Sequence, residues 1–158
     1  MQNAAYGYIY GVQTSLQVKF GHGLGLAAHY NYQRGKEEDE SGEVSSLRHA
    51  TPAFGLVRLT WNQKKLTTEI NVQFNSEISN SRLALSEQDK PQIYAPDSNG
   101  LPYAPAWHTL NVKALYRLAD YLQLNAGVEN ITDQRYRTYS SGITAPGRNL
   151  VVSVRGVF

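Results

Sequence analysis

Four histidines are the first residues to weigh for chemistry: His22, His29, His49 and His108. None pairs with another at i,i+4 and no HExxH occurs, so neither a metal site nor a histidine base is indicated. "GHGLG", Gly21 to Gly25, has glycines like those of a phosphate loop but lacks the helix that must follow, and a glycine-rich turn explains it. No GxSxG elbow is present and no nucleophile stands beside a base, so an enzyme is not expected. Cysteine is absent, which excludes disulfides and thiolate sites. "KEEDESGE", Lys36 to Glu43, places five acids in eight residues. It either attracts cations or is a solvated loop tip, and the second reading is favoured. No cofactor is implied. The 15 basic residues against 13 acidic ones form no stripe, which argues against nucleic acid.

Chemistry of this sparseness shifts attention to the elements. Apolar residues recur with period two almost throughout. Leu150, Val152, Val154 and Phe158 alternate with Asn149, Ser153 and Arg155 in the last run. The same alternation marks Tyr6–Phe20, Leu24–Gln33, Gly55–Trp61, Leu66–Asn75, Thr109–Leu118 and Leu122–Glu129. These seven predicted strands are mostly longer than the roughly 5–6 residues of ordinary sheets and suit the ~9–11 that a tilted strand needs to cross a bilayer. No apolar run approaches the length of a membrane helix. A sandwich would bury the apolar face, whereas a membrane barrel would turn it to lipid and the polar face to the lumen.

The connections favour the barrel. They alternate between short (21–23, 62–65, 119–121) and long (35–53, 76–106, about 130–147), as in an up-and-down barrel with tight turns on one side and loops on the other. Aromatics such as Tyr6, Tyr30, Trp61, Tyr121 and Phe158 gather at strand ends, where interfacial girdles stand. A soluble or small-barrel β protein with a structural or adhesive role is the alternative. The expected fold is all-β: an antiparallel up-and-down transmembrane segment of about seven strands.

"LQLNAGVENITDQRYRTYSSGITAPGRNLVVSVRGVF", Leu122 to Phe158, resembles the end of TonB-dependent outer-membrane receptors. The matching residues are Gly127, Val128, Asn130, Ile131, Asp133, Tyr136, Pro146, Gly147, Arg148 and Phe158. "HATPAFGLVRLTWNQKKLTTEINVQF", His49 to Phe74, and "YGYIYGVQTSLQVKF", Tyr6 to Phe20, are similar to earlier strands of the same barrels. The resemblance implies a location in the outer membrane and uptake of a scarce nutrient: a siderophore or other metal chelate, haem, or cobalamin. It implies that residues 1–158 are the C-terminal portion of a 22-stranded barrel, with the plug domain and TonB box outside this chain. The implied partners are the rest of that barrel, the plug, the lipid bilayer, the barrel-assembly machinery and, through the plug, TonB. Phe158 would be the assembly signal. Tyr94, Tyr103, Trp107, Arg137 and Tyr139, with Arg148, would be candidate ligand contacts on external loops. Lumen-facing Arg58, Glu69, Lys113, Arg117, Glu129 and Arg155 would pair across strands and meet the plug.

Overall fold

The computed structural model describes residues 4–39 and 42–157. Phe158 therefore lies outside the described residues. The strands are β1 (Ala4–Lys19), β2 (Leu24–Asp39), β3 (Val44–Ser46), β4 (Phe54–Asn62), β5 (Leu66–Asn75), β6 (Ala95–Pro96), β7 (Pro102–Tyr103), β8 (Trp107–Ala119), β9 (Leu122–Glu129) and β10 (Asn149–Gly156). One antiparallel sheet runs in the order β1-β2-β4-β5-β8-β9-β10, with β3 on the extension of β2 and β6-β7 a separate small ribbon. Each long strand lies beside the next in sequence, which is the up-and-down arrangement. The three tight turns therefore share one end of the sheet and the three long loops share the other.

Register explains why the alternation was so regular. Opposed residues of an antiparallel pair project to the same face. Val18, Leu26, Leu59, Ile70, Val112, Val128 and Leu150 are opposed in succession across all seven strands. The neighbouring row, on the other face, is Lys19, Gly25, Thr60, Glu69, Lys113, Gly127 and Val151. A slip of one residue in any strand would exchange these faces. The apolar face has no cover: Ile70 is 46% exposed and Val152 59%. The chain's accessible surface is 10724 Å², against roughly 7,900 Å² for a compact soluble chain of this mass.

The sheet is not closed on itself. β1 and β10 are its two ends, and neither pairs with the other. Each leaves a row of backbone donors and acceptors facing outward, an arrangement a membrane does not tolerate unless further strands complete the wall.

Two features depart from the sequence reading. β2 does not end near Gln33; it continues to Asp39, so Lys36, Glu37, Glu38 and Asp39 belong to a strand and not to a loop tip. They pair with β1, Tyr8 opposite Lys36 and Gly7 opposite Glu37. The tyrosine-rich start of β1 offers an extended partner, and backbone pairing overrides the weak strand preference of acidic residues. The β1-β2 hairpin thus runs on past β4, whose last partner on β2 is Asn31. The second is that the long connections carry structure of their own, β3 in the first and the β6-β7 ribbon in the second.

The turn at Gly21–Gly23 is a single 3-10 turn in which His22 takes φ 60°. Gly23 has φ +82°, and a Cβ there would collide with the carbonyl oxygen of Asn62. His22 and Gly23 serve this backbone bend, and no ligand need be invoked for "GHG".

Candidate functional site: the loop cluster

Among the described residues, the buried hydrophobic ones do not lie in the main sheet. They lie in the loop between β5 and β8, where Ile78, Leu83, Tyr94 and Ala104 pack together, with Ile93 and Tyr139 against them. Ile78 and Ala104 exchange backbone hydrogen bonds of 2.9 and 3.0 Å that close the neck of this loop. Above the neck, β6 and β7 form a short ribbon capped by Asp97, whose carboxylate accepts from the amides of Asn99 and Leu101.

At the centre stands Glu87, with 0% of its surface exposed. Its Oε1 receives Lys90 Nζ and Arg48 Nε, both at 2.6 Å. Its Oε2 accepts from the Tyr94 hydroxyl at 2.7 Å. Burial pushes the Glu87 carboxyl up, but the hydrogen bonds from Lys90 and Tyr94 and the charges of Arg48 and Lys90 outweigh it and hold the group below the ordinary carboxylate range. Burial, then the bond to Glu87, pushes the Tyr94 phenol well above its usual range. Tyr139 is raised by burial and by the Glu87 charge. All three groups therefore hold fixed protonation states at neutral pH.

These contacts tie three loops to one another. Arg48, from the loop after β2, reaches Glu87 in the loop after β5. Tyr139, from the loop after β9, donates to the Arg48 carbonyl at 3.1 Å. Arg137, from the same last loop, donates to the carbonyls of Gln92 and Ile93 at 2.9 and 3.0 Å.

The last loop is held at its root by the residues of the C-terminal motif. Asn130 takes φ 49° and Asp133 φ 54°. The Asn130 amide donates to the carbonyls of Gln134 and Pro146, and its oxygen accepts from the Gln134 amide. The Asp133 carboxylate accepts from the Arg148 amide at 2.7 Å, while the Arg148 guanidinium donates to the Ile131 carbonyl. A Cβ on Gly147 would meet Asp133 Oδ1 at 2.5 Å. Below this root, buried Asn71, Thr109 and Asn111 form a polar chain on the inner face, linked onward to the Asn130 amide. Two ion pairs cross that face between strands, Arg58 to Glu69 at 3.3 Å and Lys113 to Glu129 at 2.8 Å.

Between the middle and last loops opens a cavity of about 460 Å³ lined by residues 91–95, Pro105, Trp107, residues 135–137 and Thr144. Trp107, opposite Asn75 and hence on the polar face, stacks on Tyr136 with ring centroids 4.3 Å apart. Its indole N–H is buried without a hydrogen-bond partner among the described residues. Of the residues the sequence singled out, Tyr94, Trp107 and Arg137 line this cavity. Tyr139 packs behind Tyr94, with ring centroids 6.3 Å apart, and Tyr103 sits in the β6-β7 ribbon opposite Ala95. Arg148 is part of the loop root. Sequence pattern did not single out Glu87, Arg48, Arg135 or Tyr136 for this cluster; only Tyr136 had a signal, its place in the C-terminal motif. Among the described residues no group of three or more His, Asp or Glu could hold a metal ion.

The sequence profile of the family described as "TonB dependent receptor-like, beta-barrel" matches residues 1–131. No curated protein sequence matches the chain. Among solved structures, the chain is similar to the copper transporter OprC, with a TM-score of 0.78 and 16% identity over 96% of this chain and 23% of that one. It is similar to the FrpB iron transporter of Neisseria meningitidis, with a TM-score of 0.73 and 17% identity over 98% of this chain and 24% of that one. It is also similar to the ferric enterobactin receptor of Pseudomonas aeruginosa, with a TM-score of 0.67 and 19% identity over 95% of this chain and 22% of that one. The chain thus spans less than a quarter of the length of these structures.

Proposed function

The chain belongs to the TonB dependent receptor-like β-barrel family, and on that premise we propose that it forms part of the wall and external loops of an outer-membrane receptor for TonB-dependent uptake of a scarce nutrient. Residues 1–158 supply the C-terminal portion of the barrel. The rest of the wall joins at β1 and β10, lipid meets the apolar face, and a plug linked to TonB meets the polar one. Phe158 marks the last strand for the barrel-assembly machinery.

The observation that carries this reading is the placement of the cavity. It lies among the loops at one end of the sheet, and Trp107, the residue of the main sheet that lines it, stands on the polar face, opposite in character to a face that is apolar across all seven strands. A ligand captured there enters the lumen side without crossing lipid. Tyr94, Trp107 and Arg137 contact it directly, while Tyr103 braces the middle loop through the β6-β7 ribbon and Tyr139 ties the last loop to Arg48. The nutrient belongs to the siderophore or metal-chelate, haem or cobalamin class; the similar structures are for copper, iron and ferric enterobactin.

The test is uptake. Deleting the gene that encodes this chain should abolish accumulation of one labelled chelate from that set, and deleting TonB in the parent strain should do the same. Unchanged accumulation of every chelate tested, in a strain shown to express the protein beforehand, would refute the transport role.

A further inference from the structure

We infer that the loop end of the β1-β2 hairpin carries a binding site for the phosphate group of an outer-leaflet lipid. This rests on the receptor reading above and adds a lipid partner to it. A cavity of about 110 Å³ lies between the hairpin and the connections that follow β2 and β5. It is far smaller than the ~300–1,000 Å³ of an ordinary ligand pocket, and it has the size for a single tetrahedral anion. Arg34 and Lys36 of β2 and Arg82 of the middle loop line it, and its lining residues include no Asp or Glu. Glu37 and Glu38 follow on β2 but stand outside the lining. All three cations are exposed, and among the described residues none of them forms an ion pair. Like charges gathered without an acid repel one another, and a bound anion removes that repulsion. The hydroxyl-bearing residues Tyr10, Ser46 and Thr51 stand in the same wall.

Register sets the level of this site. Tyr10 opposes Arg34 and Tyr8 opposes Lys36, on the same face of the hairpin as the apolar pair Val18 and Leu26. A tilted strand crosses a bilayer in ~9–11 residues. Phe20 and Leu24 stand at the tight-turn end, and Tyr10 and Arg34 lie ten residues away along their strands. A crossing that begins at Phe20 and Leu24 therefore ends at Tyr10 and Arg34, with Lys36 just beyond, among the headgroups. The Arg34 guanidinium lies 5.8 Å from the centre of the Tyr32 ring, and the Tyr8 and Tyr10 rings are stacked at 6.3 Å. Such side chains suit a membrane boundary, with apolar bodies and polar tips. β4 pairs with β2 no further than Asn31, so at Arg34 the wall is completed by loop residues, Arg82 among them. A phosphate monoester matches this set. It brings close to two negative charges and three terminal oxygens, which guanidiniums meet with paired hydrogen bonds. A phosphodiester brings one charge and two such oxygens, and so satisfies fewer of the donors.

The test uses the complete protein carrying this chain, purified in a neutral detergent, with bound lipid read by native mass spectrometry. Short-chain phosphatidic acid, a phosphomonoester, should bind about tenfold more tightly than phosphatidylglycerol of the same chain length, a phosphodiester. Arg34→Gln and Arg82→Gln should each loosen phosphatidic acid by about tenfold, the loss of one charge-assisted hydrogen bond. Lys64→Gln, which removes a cation at the tight-turn end, should leave the affinity unchanged. Arg34 comes from a strand and Arg82 from a loop, so a folding defect in one variant leaves the other informative. Equal affinities for the two lipids, or no change in Arg82→Gln, overturns the inference. A loss in Lys64→Gln as large as in Arg82→Gln also overturns it, because the lipid then answers to general surface charge. Inorganic phosphate that displaces the lipid at comparable concentration overturns the lipid assignment in favour of free phosphate. Each of these results leaves the receptor reading standing. Absence of the protein from the outer-membrane fraction would instead remove the receptor reading, and this inference with it.

Discussion

Glu87 shows how one buried charge organises flexible chain. It draws Arg48, Lys90 and Tyr94 from two loops onto a single carboxylate. Removing a buried charge from partners arranged around it leaves them unpaired, so Glu87→Gln should cost roughly 3 kcal/mol of local stability. Hydrogen exchange at the Ile78 and Ala104 amides reads this directly, and protection there should fall while the strands keep theirs. The carboxyl lies below its ordinary value of 4.5 in the folded chain. A depressed value means that the stabilisation is complete above the unfolded value and is lost as pH falls through the folded one. Loop protection should therefore be flat from neutral pH down to about 5 and fail only in stronger acid. Trp107 gives a contrasting case. Its indole N–H makes no bond among the described residues, so Trp107→Phe, which keeps the stack on Tyr136, should change urea stability by less than about 1 kcal/mol. Trp107→Ala should lose roughly 2 kcal/mol, and equal effects of the two substitutions would mean that the N–H finds a partner.

At the level of elements, period two was legible because each strand has two unlike environments, and opposed rows such as Val18 to Leu150 repeat the choice in every strand. What stayed illegible depended on contacts between segments far apart in the chain. Nothing near Lys36–Asp39 announces a strand, since the partner that makes it one is Ala4 to Tyr8. Glu87 looks like any loop acid until Arg48 and Tyr94 converge on it. The loop root was visible as a motif, and its geometry now gives the reason: Asn130 holds a left-handed turn while its amide bridges Gln134 and Pro146. Asn130→Ala loses those bonds and strains the turn, a cost of roughly 2–3 kcal/mol. Asn130→Gly keeps the backbone freedom and should cost less, and thermal unfolding of the two variants would rank them. The two faces of β10 give another comparison. Val152→Arg places a charge on the apolar face, where it costs ~2–4 kcal/mol in a bilayer, whereas Ser153→Arg places it on the polar face. Equal folding yields of the two variants in outer-membrane vesicles would mean that the faces are assigned the wrong way round.

For the whole molecule, the exposed apolar face and the two unpaired sheet ends mean that this chain cannot be at rest alone in water. Light scattering of residues 1–158 without detergent should show association or aggregation, and a stable 17.6 kDa monomer with full sheet content would favour a soluble β protein. In the proposed receptor the sheet crosses an outer membrane with the tight turns inside and the tied loops outside. The chain has no cysteine, so once any cysteine elsewhere in the complete protein is replaced, a single cysteine introduced here reports its own side. Ser98, exposed in the middle loop, and Lys64, exposed in the β4-β5 turn, are suited to it. In intact cells expressing the complete protein, Ser98→Cys should react with a membrane-impermeant maleimide. Lys64→Cys should react only after the outer membrane is opened. Labelling of both in intact cells, or of Lys64→Cys alone, would contradict the account.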